Sequence, residues 1–150
     1  MKGLLLRVGI DKGTGGFLAP INEDGSFEFI PKPETRATSE REVYSTMKGI
    51  NLGKPLRELV DLPRKLYYVH PHRDPEFFTF TYGDPTSPKR NQLSCLGSED
   101  LLVFYAGLEY KNGKEKGKAR LFVIGYFVVE EVYDFKKIPK KEWGLSLIHI

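Results

Sequence analysis

The chain has 150 residues, 40% of them apolar and 29% charged, which suits one domain with a real core and excludes global disorder. A net charge of +3 permits nucleic-acid contact without demanding it, because dedicated binders concentrate positive charge further. The lone cysteine, Cys95, excludes an internal disulfide. Together with the lack of an apolar run of membrane-span length and of a signal-peptide core, it predicts a cytoplasmic setting and no membrane partner.

Residues 4–10 read as a first strand, ending in a glycine-rich turn over 11–16. Two apolar runs, 17–21 and 27–30, flank Asn22-Glu23-Asp24-Gly25-Ser26, and Asp-Gly between such runs is a strong hairpin signal. Ser39 followed by Glu42 resembles a capping box, which predicts a short helix over 40–47. Pro55 suits the start of a second helix reaching Val60, and residues 65–70 read as a strand. Residues 87–96 predict a helix with Pro88 near its start, and 101–107 a buried strand. A Lys-rich loop over 111–118 leads into the strongest strand, 120–132, with Gly125 expected as a bulge or bend. Phe104, Val123, Ile124 and Val128 are expected to be buried. Strands outnumber helices and βαβ alternation is missing, so the predicted class is α+β, with a mostly antiparallel curled sheet or partial barrel. Residues 1–144 read as one domain. The ending Leu145-Ser146-Leu147-Ile148-His149-Ile150 reads as a foreign tail on a truncated protein.

The densest chemistry lies at 70–84, which carries His70, His72, Asp74, Glu76, Asp84 and four aromatic rings. A polar cluster beside flat apolar surfaces is what a small-molecule or nucleobase site needs. His72 and Asp74 share a face in an extended segment, so one carboxylate orienting one imidazole predicts acid–base chemistry near neutral pH. A surface brace made by Arg73 and Asp74 is the plainer alternative. Asp84 joins His72 and Asp74 as a candidate catalytic group, while Thr81 and Tyr82 are candidate ligand contacts. Metal binding is disfavoured because a fourth ligand is missing, and the residues name no cofactor.

Arg7-Val8-Gly9-Ile10-Asp11 with Gly15-Gly16 predicts a loop whose amides and Asp11 meet polar ligand groups, or else a tight turn between strands. Its Asp-x-Gly-Thr is similar to the first phosphate loop of actin-like ATPases, but the chain is too short for that fold. Lys111, Lys114, Lys116, Lys118, Lys136, Lys137, Lys140 and Lys141 are available for phosphate contacts or simply for solvent.

The strand pair Leu101-Leu102-Val103-Phe104-Tyr105-Ala106-Gly107 and Leu121-Phe122-Val123-Ile124-Gly125-Tyr126 resembles the barrel strands of PUA-like folds, including EVE and ASCH modules, although Gly97-Ser98-Glu99-Asp100 is an inserted form of their Gly-Asp turn. Taken with Arg7-x-Gly9-x-Asp11, Asp24-Gly25-Ser26-Phe27-Glu28, Thr81-Tyr82-Gly83-Asp84 and Val103-Phe104-Tyr105-Ala106-Gly107-Leu108, the chain up to about Val129 resembles the third nucleotide-modification-associated domain family of bacteria and phages. The resemblance implies a protein that acts on or recognises a nucleotide or modified base, with a nucleotide or nucleic acid, DNA above all, as its partner. It carries over no mechanism, so catalysis stays open. On this reading Arg7 neutralises phosphate or carboxylate, and Tyr82, Asp84 and Tyr105 line the pocket. Two rival readings are a non-catalytic nucleic-acid reader and a phosphate-binding hydrolase using Asp11 with Mg²⁺.

Overall fold

A computed structural model of the chain describes residues 1–36, 38, 40–84, 86–134 and 137. Its longest elements are two ten-residue strands, β5 (Leu101–Tyr110) and β6 (Ala119–Val128). Along β5 the even-numbered Leu102, Phe104, Ala106 and Leu108 are buried, the period-two mark of a strand with one covered face. β6 returns antiparallel: Tyr110 N–H donates to Lys118 O (3.0 Å) at one end and Val129 N–H to Asp100 O (2.7 Å) at the other. The turn between them needs Gly113 and Gly117, both at positive φ.

Two further strands, β1 (Gly3–Arg7) and β2 (Ala19–Ile21), join β5 in parallel. β2 pairs Ala19 with Leu108 and Ile21 with Tyr110. β1 is bracketed by Leu101 N–H to Lys2 O and Val8 N–H to Tyr105 O, each 2.9 Å. The sheet is therefore open and mixed, not mostly antiparallel. The long stretch between β2 and β5 supplies the crossover that parallel pairing requires. The Asp24-Gly25 hairpin forms, with Gly25 at positive φ and Asn22 N–H on Ser26 O, yet its second arm makes only the bridge Ile21 to Phe27.

The described residues divide into two compact units. The first contains Met1–Arg7, Asp74–Phe104 and the chain from Gly125. Its interior is aromatic: Phe77, Phe104 and Phe127 meet edge to face at centroid distances of 4.8 to 5.9 Å. It also holds α2 (Ser87–Leu93), with Pro88 in its first turn as expected and its end three residues short of the predicted Leu96. The second contains Val8–Arg73 and Tyr105–Ile124. Its core gathers Ile10, Ile21, Ile30, Tyr44, Met47 and Leu56 around the second half of β5. α1 (Leu56–Leu59) follows Pro55, and a two-stranded antiparallel sheet pairs β3 (Lys32–Pro33) with β4 (Pro71–His72).

Three local expectations differ. Residues 40–47 make a turn instead of a helix, because Tyr44 and Ser45 N–H donate across the unit to Val69 O and Tyr67 O, and the buried Tyr44 hydroxyl to Pro31 O at 2.6 Å. Ser39, half of the expected capping box, lies outside the described residues. Residues 65–70 are mainly a 3-10 helix, Arg64–Leu66, and a turn, captured by local bonds such as Leu66 N–H to Pro63 O. Phe104 is buried and Ile124 half-buried, but Val123 and Val128 are 67% and 58% exposed. The reason is a change of phase along β6: Phe122 and Ile124 are the inner residues before Gly125, and Phe127 and Val129 after it, as a bulge there requires.

Candidate functional site

In the first unit, Glu76 and Thr81 exchange backbone hydrogen bonds of 2.9 and 3.1 Å and close a tight turn over residues 77–80. Phe77 points inward to Phe104 and Phe127. Phe78 and Phe80 stay 69% and 72% exposed. Phe80 has φ +55°, a left-handed conformation that a ring-bearing residue adopts only at a cost. The Glu76 carboxylate accepts from Phe78 N–H at 3.0 Å and stiffens the turn, and the Thr79 and Thr81 hydroxyls meet at 2.8 Å.

The chain then passes Tyr82, whose ring leans on Phe104 at 5.6 Å. Burial, with the nearby Asp84 and Asp74 charges, pushes the Tyr82 hydroxyl far above the usual phenol range, so it remains a neutral donor. The Asp74 carboxylate accepts from Gly83 N–H at 3.1 Å. Asp84 accepts from the Thr86 N–H (2.8 Å) and hydroxyl just ahead of α2, and pairs with Lys89 at 3.1 Å. Burial opposes the charge on Asp84, but the Thr86 and Lys89 contacts outweigh it and hold the carboxyl below its ordinary range. Arg7 is exposed at the end of β1 in the same unit. This unit thus contains Arg7, Asp74, Thr81, Tyr82 and Asp84 of the expected site residues.

His72, Asp11, Gly15, Gly16 and Tyr105 belong to the second unit. His72 sits on β4 directly across from Lys32, and its Nδ1 lies 2.5 Å from Glu34 Oε2. Glu34 is held in turn by the backbone N–H groups of Thr35 (2.7 Å) and Arg36 (2.9 Å). Burial works against its charge, but the His72 and backbone bonds prevail and its carboxyl lies below the usual range. Beside it, Arg73 pairs with Glu40 and Glu42, and the Glu42 carbonyl meets His70 Nδ1 at 2.8 Å.

The glycine loop closes on itself. Gly15 and Gly16 N–H donate to Asp11 O at 2.8 and 3.2 Å, and Asp11 Oδ1 accepts from the Thr14 N–H and hydroxyl. A Cβ at Gly15 would fall 2.3 Å from Ile10 Cδ1, and Gly16 has φ +89°. Turn geometry accounts for both glycines, in keeping with the tight turn that stood beside ligand contact as the expectation. Tyr105 is half-buried on β5. In the Lys-rich loop, Lys118 and Arg120 pair with Glu115 and Lys111 with Glu109; Lys136, Lys140 and Lys141 lie outside the described residues, as do residues 145–150.

Two carboxylates matter that the sequence reading did not single out. Glu34 directly follows Pro33, beyond the predicted hairpin arm, and carries no local signal of a partner. Glu28 is fully buried and accepts four backbone N–H bonds, from Phe29, Ile50, Asn51 and Leu52. The one available signal was a Glu inside the apolar run 27–30, where a charge must have a partner. Among the described residues, no group of three or more His, Cys, Asp and Glu side chains is placed to hold a metal ion, and no helix is long and apolar enough to cross a membrane.

No curated protein and no solved structure matches the chain. A family model, nucleotide modification associated domain 3, matches residues 2–150, and the chain belongs to that family.

Proposed function

We propose that this chain serves nucleotide modification by receiving a nucleobase, favourably one of DNA, at the Glu76–Thr81 turn and the Tyr82–Asp84 segment that follows it. The observation that carries the reading is the pairing of two exposed rings, Phe78 and Phe80, with a half-buried phenol, Tyr82, near two carboxylates. Every base has a π-face, so the rings supply sequence-tolerant stacking. Tyr82 donates to a ring nitrogen or carbonyl, and Asp74 and Asp84 accept from an exocyclic amino group. That pattern favours cytosine or adenine over thymine. Arg7 meets phosphate, and Thr81 adds a hydroxyl. Asp84, with its depressed pKa, reads donors and does not supply protons at neutral pH.

Calorimetric titration with the four deoxynucleoside monophosphates and short single-stranded oligodeoxynucleotides tests this. Phe80→Gly should weaken binding about 5- to 160-fold, since base–aromatic stacking contributes about 1–3 kcal/mol. Its melting temperature should hold, because relief of the left-handed conformation (about 1–2 kcal/mol) offsets the lost edge contact with Phe127. Wild-type affinity in Phe80→Gly for every nucleotide tried would remove the stacking surface from the account.

A further inference from the structure

The 3-10 turn of the second unit presents rings and cations that base recognition in the first unit does not use. Leu62, Leu66 and Val69, spaced four and three apart, send one side of the turn into that unit's core. Arg64, Lys65, Tyr67 and Tyr68 are left exposed to solvent. Pro63 leads into the turn at φ −62°, and Leu66 N–H to Pro63 O (2.9 Å), Tyr67 N–H to Arg64 O (3.1 Å) and Val69 N–H to Leu66 O (3.0 Å) close it. The 43–46 segment of the same unit ties it down. The Ser45 N–H and hydroxyl both donate to Tyr67 O, at 3.2 and 2.7 Å, and Tyr44 N–H donates to Val69 O at 3.1 Å. The backbone that carries the four exposed side chains is therefore held by the fold itself, and a partner need not order it.

We propose that this turn is a contact surface for a single strand of nucleic acid, with Tyr67 and Tyr68 stacking on bases and Arg64 and Lys65 meeting phosphates. Tyr68 is 85% exposed and Tyr67 37%, so both rings offer area to a partner. Among the described residues neither Arg64 nor Lys65 has an ion-pair partner, although the exposed acids Glu58 and Asp61 stand near them in the chain. Residues three apart lie on one side of a 3-10 turn, so Arg64 goes with Tyr67 and Lys65 with Tyr68. Alternating cations and rings match the alternating phosphates and bases of a strand. A duplex stacks its base faces on one another and hides them from the tyrosines, which favours an unpaired strand. A lipid surface also draws cations and rings, but segments that lie in it insert aliphatic side chains, and here the leucines face the core. The choice of a nucleic acid over an acidic protein rests on the nucleotide reading; the surface itself does not.

Fluorescence anisotropy of the full chain with a dye-labelled mixed-sequence oligodeoxynucleotide, and with the oligoribonucleotide of the same sequence, tests this at several salt concentrations; the two strands show whether DNA or RNA is preferred. Tyr68→Ala should weaken strand binding about 5- to 160-fold with the melting temperature unchanged, and Tyr68→Trp should retain it. Arg64→Ala and Lys65→Ala should each lower the slope of log affinity against log salt by about 0.7, the share of one phosphate contact on a single strand. Strand affinity unmoved in Tyr68→Ala, or poly-glutamate competing as well as the unlabelled strand, overturns the proposal, as does binding to phosphatidylserine vesicles without binding to either strand. The Phe80→Gly titrations with deoxynucleoside monophosphates keep the two surfaces apart. If Phe80→Gly weakens monophosphate binding while Tyr68→Ala leaves strands at wild-type affinity, the base site stands and this surface falls. If Tyr68→Ala weakens strand binding while Phe80→Gly changes nothing, this surface stands and the base site falls.

Discussion

Replacing Glu28 by Gln changes one atom in a fully buried site and should cost the second unit much of its stability. Glu28 Oε1 accepts from Phe29 (3.0 Å), Ile50 (2.8 Å) and Asn51 (3.1 Å), and Oε2 from Leu52 (2.9 Å). A glutamine oxygen at the Oε1 position keeps three of these bonds, but its amide nitrogen then faces the Leu52 N–H, donor against donor. One bond to a carboxylate is lost and one buried N–H is left without an acceptor, a cost of about 2–3 kcal/mol. Glu28→Ala abandons all four donors and should cost about 3–5 kcal/mol, as removal of one side of a buried charge interaction does. Against a total of about 5–15 kcal/mol, Gln should lower the melting temperature by about 4–12 °C. Gly49 completes the site, since a Cβ there would lie 2.2 Å from Glu28 Oε2. Urea unfolding followed by circular dichroism gives the free energy, and hydrogen exchange at Ile50, Asn51 and Leu52 reports the site directly. If Glu28→Gln unfolds within about 0.5 kcal/mol of the wild type, within the range of an ordinary surface change, the carboxylate does not organise this loop.

Gly15→Ala should destabilise by about 1–3 kcal/mol in thermal unfolding, because its Cβ would lie 2.3 Å from the buried Ile10 side chain and force the core to move. Asp84→Asn should make stability less dependent on pH at the acid end. The folded-state pKa of Asp84 is depressed, so its contribution is complete above the ordinary carboxylate range and fades as pH falls through the lowered value. Unfolding midpoints of wild type and variant should therefore differ at neutral pH and converge on acidification; a constant gap would contradict the assigned contacts.

Features carried by neighbouring residues were legible in the sequence. Asp24-Gly25 made its turn, Pro55 and Pro88 stood at the starts of their helices, the apolar run over 101–107 marked β5, and Gly125 marked the change of phase in β6. The parallel pairing of β1 and β2 with β5 was not legible, because a strand's own residues do not state the direction of its neighbour. The carboxylates show the same divide. Glu34 meets His72 Nδ1 from 38 residues away, a partner that no local reading of residues 70–84 offers. Glu28 finds its loop amides 22 to 24 residues along the chain. The 40–47 helix failed for a related reason: the partners of Tyr44 and Ser45 come from residues 67–69, and tertiary bonds outweigh a weak local preference.

The bond between Lys2 N–H and Asp100 spans 98 residues, and it has a consequence for synthesis. At about 5–20 residues per second, β1 leaves the ribosome roughly 5–20 s before the strand it must join. β2 waits nearly as long for the same partner. During that interval both segments carry unpaired backbone edges and apolar side chains with no sheet to receive them. The yield of native chains should therefore depend on how fast the middle of the message is translated, and slow codons placed before the β5 coding region should lower it more than the same codons placed after β6.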